Sequence, residues 1–214
     1  MKALKPDNYA LDASKTFKPS KWFFIQRDRA LSSTTKILDV SQSADEDFAG
    51  ITDDLIEKIK TIAGNDAVPV STAFTGTCKS RFPVTRQILH AGIDEAEVCS
   101  ISTNLLKLGG RKISFYCDFN AHCSHDLEMK TIAIGSGTEY FVKDSELHFW
   151  QADSAKRRML YKIIGSQRVL VAEYASKHGF SLEGVLVVDA KEIDAVVAVV
   201  TAYALLTRND SWTS

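Results

Sequence analysis

Side chains able to bind a metal crowd into ten residues of this chain, among them Cys117, His122, Cys123, His125 and Asp126. Zinc takes Cys and His ligands in a tetrahedral site, so the residue types fit. The spacing does not. Cys-x4-His-Cys-x-His is not a standard zinc pattern, and adjacent His122 and Cys123 point apart in a strand. The competing reading is a turn that follows a strand and exposes a histidine pair. It is the one adopted here, so no metal or other cofactor is expected. A metal-dependent enzyme centred on Cys117 to Asp126 remains the lesser alternative.

Nucleophilic chemistry finds little footing. Gly-x-Ser-x-Gly is absent. Cys78 has basic neighbours in Gly76-Thr77-Cys78-Lys79-Ser80-Arg81, and such neighbours can lower a thiol pKa. Val84 stands where a Cys-x5-Arg phosphate-binding loop requires arginine. Gly135-Ser136-Gly137 is too short for a phosphate loop and reads as a hairpin turn. His148 and Trp150 share a strand face, either lining a groove or packing. No catalytic residue is expected.

Lys156-Arg157-Arg158 is the one basic triplet. Clustered cations attract anionic lipid, with about 1 kcal/mol per charge near such a surface. Lys162 and Arg168 extend the candidate patch, and Lys79 with Arg81 forms a weaker second one. The plainer alternative is a solvated loop.

These residues need a frame, and its strongest signal lies at 195–206. Ala-Val-Val-Ala-Val-Val-Thr-Ala-Tyr-Ala-Leu-Leu has no polar face, so a helix built from it needs protein on every side. At ~1.5 Å per residue it reaches roughly 18 Å, against about 30 Å of hydrocarbon core. No transmembrane span is expected. Asp189 and Glu192 have capping-box spacing before it, Asp194 adds charge that a helix start favours, and Arg208 with Asn209 suits its other end.

A second helix is predicted near 46–63. Phe48, Ile51, Leu55, Ile59 and Ile62 share one helical face, Ser43 and Glu46 have capping-box spacing, and Gly64 is a natural stop. Asp45-Glu46-Asp47 and Asp53-Asp54 form its wet side. Most of the remaining chain reads as strands. Ile113, Phe115, Cys117 and Phe119 alternate with polar residues, and Gly184 to Val188 is apolar enough for a strand covered on both faces. Twelve strands are predicted, at 22–26, 34–40, 68–74, 82–90, 98–106, 111–119, 128–134, 139–142, 146–151, 159–165, 168–174 and 184–189. Their short connections suit antiparallel pairing. An antiparallel sheet and a helix that must be enclosed suggest a barrel closed around the helix, which also removes sheet edges. The class is α+β, mainly β, with a flexible arm at 1–21, a barrel domain at 22–209 and a tail at 210–214.

The bulk numbers agree with such a domain. The 214 residues are 45% hydrophobic and 25% charged, with a net charge of −1. That balance lacks the basic excess of a dedicated nucleic-acid binder. Residues 1–20 are Lys-rich without an apolar segment, so no secretory signal is expected and the four cysteines are read as cytosolic thiols.

The C-terminal block resembles the tubby C-terminal-like superfamily, which includes tubby-like proteins, LURP-one-related proteins and phospholipid scramblases. Met159-Leu160-Tyr161-Lys162-Ile163-Ile164 is similar to a family strand, and Arg168-Val169-Leu170-Val171-Ala172-Glu173-Tyr174 to the next. Gly184 to Asp189, Ile193-Asp194-Ala195 and the apolar helix are similar to its closing strand and central helix. Trp22 to Val40 is a looser match to its opening hairpin. The resemblance implies a twelve-stranded antiparallel barrel around the helix; the 46–63 helix departs from the family pattern and is expected as an insertion on the outside. The resemblance also implies a non-enzymatic module that contacts anionic phospholipid or phosphoinositide headgroups at a cytosolic membrane surface. Lys156, Arg157, Arg158, Lys162 and Arg168 are assigned to that contact from their local clustering. A protein-interaction scaffold without lipid is the alternative.

An enclosed helix makes a sharp expectation. Val200→Asp should abolish folding, because an unpaired charge in the core costs several kcal/mol. A soluble variant with a fully cooperative thermal transition would contradict enclosure.

Overall fold

In a computed structural model, the described residues are 6–27, 34–43, 48–65, 70–81, 84–93, 96–104, 110–132, 137–179 and 182–207. Among the described residues thirteen strands occur: β1 Ala10–Leu11, β2 Lys21–Arg27, β3 Thr34–Asp39, β4 Ser71–Arg81, β5 Val84–Ala91, β6 Glu97–Asn104, β7 Gly110–Phe115, β8 Leu127–Thr131, β9 Glu139–Lys143, β10 Glu146–Ala152, β11 Arg157–Ile164, β12 Gln167–Ala175 and β13 Gly184–Val188. Two helices accompany them, α1 Asp53–Ala63 and α2 Ala195–Leu206. The twelve expected strands correspond to β2–β13. Each pairs antiparallel with its chain neighbour, β13 also pairs with β2, and β12–β13 completes the ring. The wall is a closed twelve-stranded barrel.

α2 runs inside that wall. Residues 197–200 have no exposed surface, and Ala202, Tyr203 and Ala204 have at most 1%. Its neighbours show that the helix lies between opposite walls. Trp150 on β10 donates its indole N–H to Thr201 Oγ1 at 3.1 Å. A Cβ placed on Gly76 of β4 would lie 2.5 Å from the Tyr203 ring. β4 and β10 stand six strands apart in the ring of twelve. Residues 201 and 203 are separated by about 200° around a helix. Opposite faces of α2 therefore touch opposite sides of the barrel.

The start of α2 differs in detail from expectation. Asp194 is the N-cap, and its Oδ1 accepts from Val196 N at 2.9 Å and Val197 N at 3.1 Å. The Asp189–Glu192 pair is not the cap. Asp189 is 6% exposed and closes the preceding turn, its carbonyl accepting from Glu192 N and Ile193 N. Arg208, Asn209 and the 210–214 tail lie outside the described residues.

Pleating gives each strand two faces. On β2, Phe23 and Ile25 join the lumen core, whereas Trp22 and Phe24 join a second, outer core. β13 divides likewise, with Leu186 and Val188 inside and Val185 and Val187 outside. Both strands are buried on two faces because α1 lies over them, placing Ile56 and Ile59 on the outer core. α1 starts later than its apolar periodicity predicts. Gly50 has φ +123°, which no right-handed helix accepts. Thr52 is the N-cap, its Oγ1 accepting from Leu55 N at 3.2 Å. Phe48 precedes the helix and packs edge-on against Phe17 and Trp22. The rest of the expected cap, Ala44 to Asp47, lies outside the described residues.

Two strand ends also move. β4 extends to Arg81, well past the expected 74. β7 stops at Phe115, because Cys117–Phe119 form a 3-10 turn. Residues 6–21, read as an arm, lie along the wall: Pro6 is buried and β1 runs parallel to β12.

The Gly76–Tyr203 contact is testable by a double-mutant cycle. Gly76→Ala should destabilise by about 1–3 kcal/mol through overpacking, and less in a Tyr203→Leu background. Urea titrations of the four proteins measure this. Additivity within about 0.5 kcal/mol would exclude the contact.

Candidate functional site

The five assigned cations do not form one open patch. Lys156 lies in the turn before β11, and its Nζ sits 3.3 Å from Asp53 Oδ2, both side chains being exposed. Arg157 points to the outer face. Its Nε lies 3.3 Å from Glu173 Oε1 and an Nη donates to the Ile51 carbonyl. Arg158 is the next residue on a pleated strand and faces the other way. It is 9% exposed, in register with Tyr174 of the lumen core. Lys162 is about 17 Å further along β11 than Arg157 at the usual strand rise, with Nζ 2.9 Å from Glu146 Oε2. Arg168 donates to Gln151 Oε1 at 3.2 Å and stacks its guanidinium 4.8 Å from the Tyr161 ring centroid. The side chains of Lys79 and Arg81 lie outside the described residues, as do Gly135 and Ser136.

Arg157 carries an evident structural task. Glu173 is 3% exposed, and burial raises its pKa while the Arg157 charge opposes that rise. Arg157 thus ties a buried carboxylate on β12 to the backbone just before α1.

The cysteine–histidine cluster is divided by the fold. Cys117 is exposed on the 3-10 turn. His122 reaches the start of α2, with Nδ1 2.9 Å from Asp194 Oδ2. Cys123 is buried in the lumen core, donates to the His125 carbonyl at 3.1 Å, and has its pKa raised by burial. Asp126 pairs with Lys112 at 2.5 Å, which lowers its pKa. Among the described residues, no group of three or more His, Cys, Asp or Glu is arranged to hold a metal ion. Phe115, Asn120, Cys123, Ser124, His125 and Asp126 line a shallow depression of about 250 Å³. A second depression of about 400 Å³ is lined by Lys21, Asp39, Ser41, Gln42, Val70 and Ser71. Both are open at the surface. Cys78, on β4, is half-buried in register with Gln87.

His148 and Trp150 face the lumen together, so packing describes both. Trp150 meets Thr201, and His148 stacks on Phe141 with centroids 4.9 Å apart. Sequence reasoning missed the lumen's ion pair. Arg111 and Glu139 are 4% and 2% exposed and bond in bidentate fashion, Nη2 to Oε1 at 3.0 Å. A signal was present: each shares the inward parity of an apolar partner, Ile113 and Phe141.

Comparison of the chain with protein-family models, curated proteins and solved structures finds no match. Among the described residues, no helix is long and apolar enough to cross a membrane.

His148 makes stability depend on pH. Burial lowers its pKa from 6.5 to about 4, against an opposing bond to the Glu146 carbonyl. The unfolded chain therefore takes up this proton at higher pH than the folded one. The histidine's contribution is complete above pH 6.5 and is lost as pH falls towards 4, amounting to about 3 kcal/mol. His148→Leu should flatten the stability profile across that window. Parallel profiles for the two proteins would contradict this.

Proposed function

We propose that the chain is a non-enzymatic, tubby-like binding module that contacts anionic phospholipid headgroups at a cytosolic membrane surface. The filled lumen is the observation that carries this reading. α2 and the inward side chains form one continuous core, so ligands must be met on the outside. Filling by a C-terminal apolar helix also agrees with the resemblance carried by residues 159–206.

Within that reading the candidate cations have different tasks. Arg157 and Arg158 hold the wall, because one neutralises Glu173 and the other is buried. Lys156 is the cation best placed to meet a headgroup. Its exposed pairing with Asp53 is of a kind that contributes about 0–1 kcal/mol, so a phosphate can compete for the ammonium. Lys162 and Arg168 flank the other end of the β11–β12 hairpin. The scaffold alternative draws on the same geometry: Lys156, Arg157 and Lys162 each already have an acidic partner.

Sedimentation with phosphoinositide-containing vesicles separates the two. We expect binding at low salt that weakens with added salt, and a loss of roughly fivefold for Lys156→Ala from about 1 kcal/mol per charge. Wild-type binding that Lys156→Ala leaves unchanged would remove the assigned site. Absence of binding at low salt would remove the lipid reading and leave the scaffold.

A further inference from the structure

β12 is longer than the strand that closes the barrel against it. β13 pairs with residues 172–175 of β12, and the next amide, Asp189 N, donates to Val171 O at 2.9 Å. The edge from Gln167 to Leu170 therefore projects past β13. An open edge is a template for another strand. The chain fills it with its own N-terminal segment. Ala10 and Leu11 lie parallel to Gln167 and Arg168, and Asp12 N donates to Arg168 O at 3.0 Å.

A socket lies on the outer face of β10, with β11 between it and β12. Phe149 is fully buried there, although it points away from the lumen. Tyr9 and Tyr140 cover it, with centroids at 6.0 and 6.3 Å. Pro6 is buried three residues before Tyr9. The docked sequence is thus Pro6-Asp7-Asn8-Tyr9-Ala10-Leu11, with two anchors followed by two ladder residues.

The attachment is slight. It is the one parallel pairing among the described strands and spans two residues. Parallel pairs are slightly weaker per residue than antiparallel ones. Leu11 remains 57% exposed. The nearby Lys15–Glu192 pair at 2.8 Å is a surface contact, of a kind that contributes little.

We propose that the β12 edge with its Phe149 socket is a docking site for a peptide of the form Pro-x-x-Tyr-x-Leu, whose first three residues make a 3-10 turn, as Pro6–Asn8 do, before the chain extends along β12. Residues 6–11 are its built-in occupant, and a partner peptide of that chemistry displaces them. Main-chain hydrogen bonds to an edge supply affinity, and alternate side chains supply specificity. The tyrosine fills the socket, and the leucine lies on the outer face beside Arg168. A tethered occupant competes at an effective concentration in the millimolar range. Apparent affinity is scaled down by the fraction of time the edge is free. The segment therefore acts as an autoinhibitor of the site. The inference stands independently of lipid binding.

The probe is a fluorescent peptide copying residues 6–15, titrated into the full chain and into a full chain carrying Tyr9→Ala and Asp12→Pro. These changes remove the socket anchor and the donor to Arg168 O. We expect at least tenfold tighter binding to the variant than to wild type, and none of a scrambled peptide. Equal affinities, or no binding to a variant that still unfolds cooperatively, would overturn the proposal. A wild-type dimer that dissociates when the peptide binds would make a second copy the occupant, and would overturn the partner-peptide reading. Hydrogen exchange of the unmodified chain gives an independent check. The Asp12 amide should exchange through local opening, faster than amides in the centre of β12. Exchange only through global unfolding would overturn displacement even if the variant fails to fold.

Discussion

A wall of twelve strands is too wide to be filled by its own side chains. Strand spacing of about 4.8 Å and a tilt of about 40° give a barrel radius of about 12 Å. A helix with its side chains takes about 5–6 Å of that radius, leaving room for one layer of wall side chains. This fit makes α2 necessary and dictates its composition. Eight of its twelve residues are Ala or Val, which keeps the cylinder narrow. Tyr203 is the exception, and the wall yields to it at Gly76. Thr201 is its one other polar side chain. Its hydroxyl donates to Val197 O at 2.8 Å while accepting from Trp150. Valine and threonine are indifferent helix formers, so enclosure, more than propensity, maintains this helix.

Polar groups are accommodated where the packing constraint relaxes. His122 and Asp194 meet at the first turn of α2, and Thr207 donates to Gln87 at 2.8 Å past its last. Arg111 and Glu139 are the costly case, since a buried pair must recover the desolvation of two ions. Bidentate geometry supplies much of that recovery. In the two proposals above, binding is correspondingly assigned to the outside, at the β11–β12 hairpin and the exposed margin of β12.

The architecture was legible because it is written in periods. The run at 195–206, the alternation at 111–119 and 147–150 and the short turns between strands are local signals, and with the resemblance of the C-terminal block they suggest closure. Helix α1 was read too long because Phe48 and Ile51 keep its spacing while serving the outer core from a non-helical segment. β1 left no trace, since two residues carry no alternation. The cation cluster was the least legible feature. Neighbours in sequence are opposed on a pleated strand, so Arg157 and Arg158 separate. Their environment is set at long range: Asp53 is 103 residues from Lys156, and Asp194 is 72 from His122. No local pattern encodes such partners.

The position of α2 in the chain has a consequence for assembly. Every wall strand precedes it, so synthesis delivers the staves before the axle. Until residues 195–206 emerge, lumen-facing side chains such as Leu89, Ile101, Ile113 and Phe141 have nothing to close upon. Exposed apolar surface and unpaired edges of that kind invite aggregation. β13, which seals the ring against β2 and β12, lies immediately before the helix. Sealing and filling are thus delivered together, and a nascent chain arrested just short of them is a natural client for chaperones.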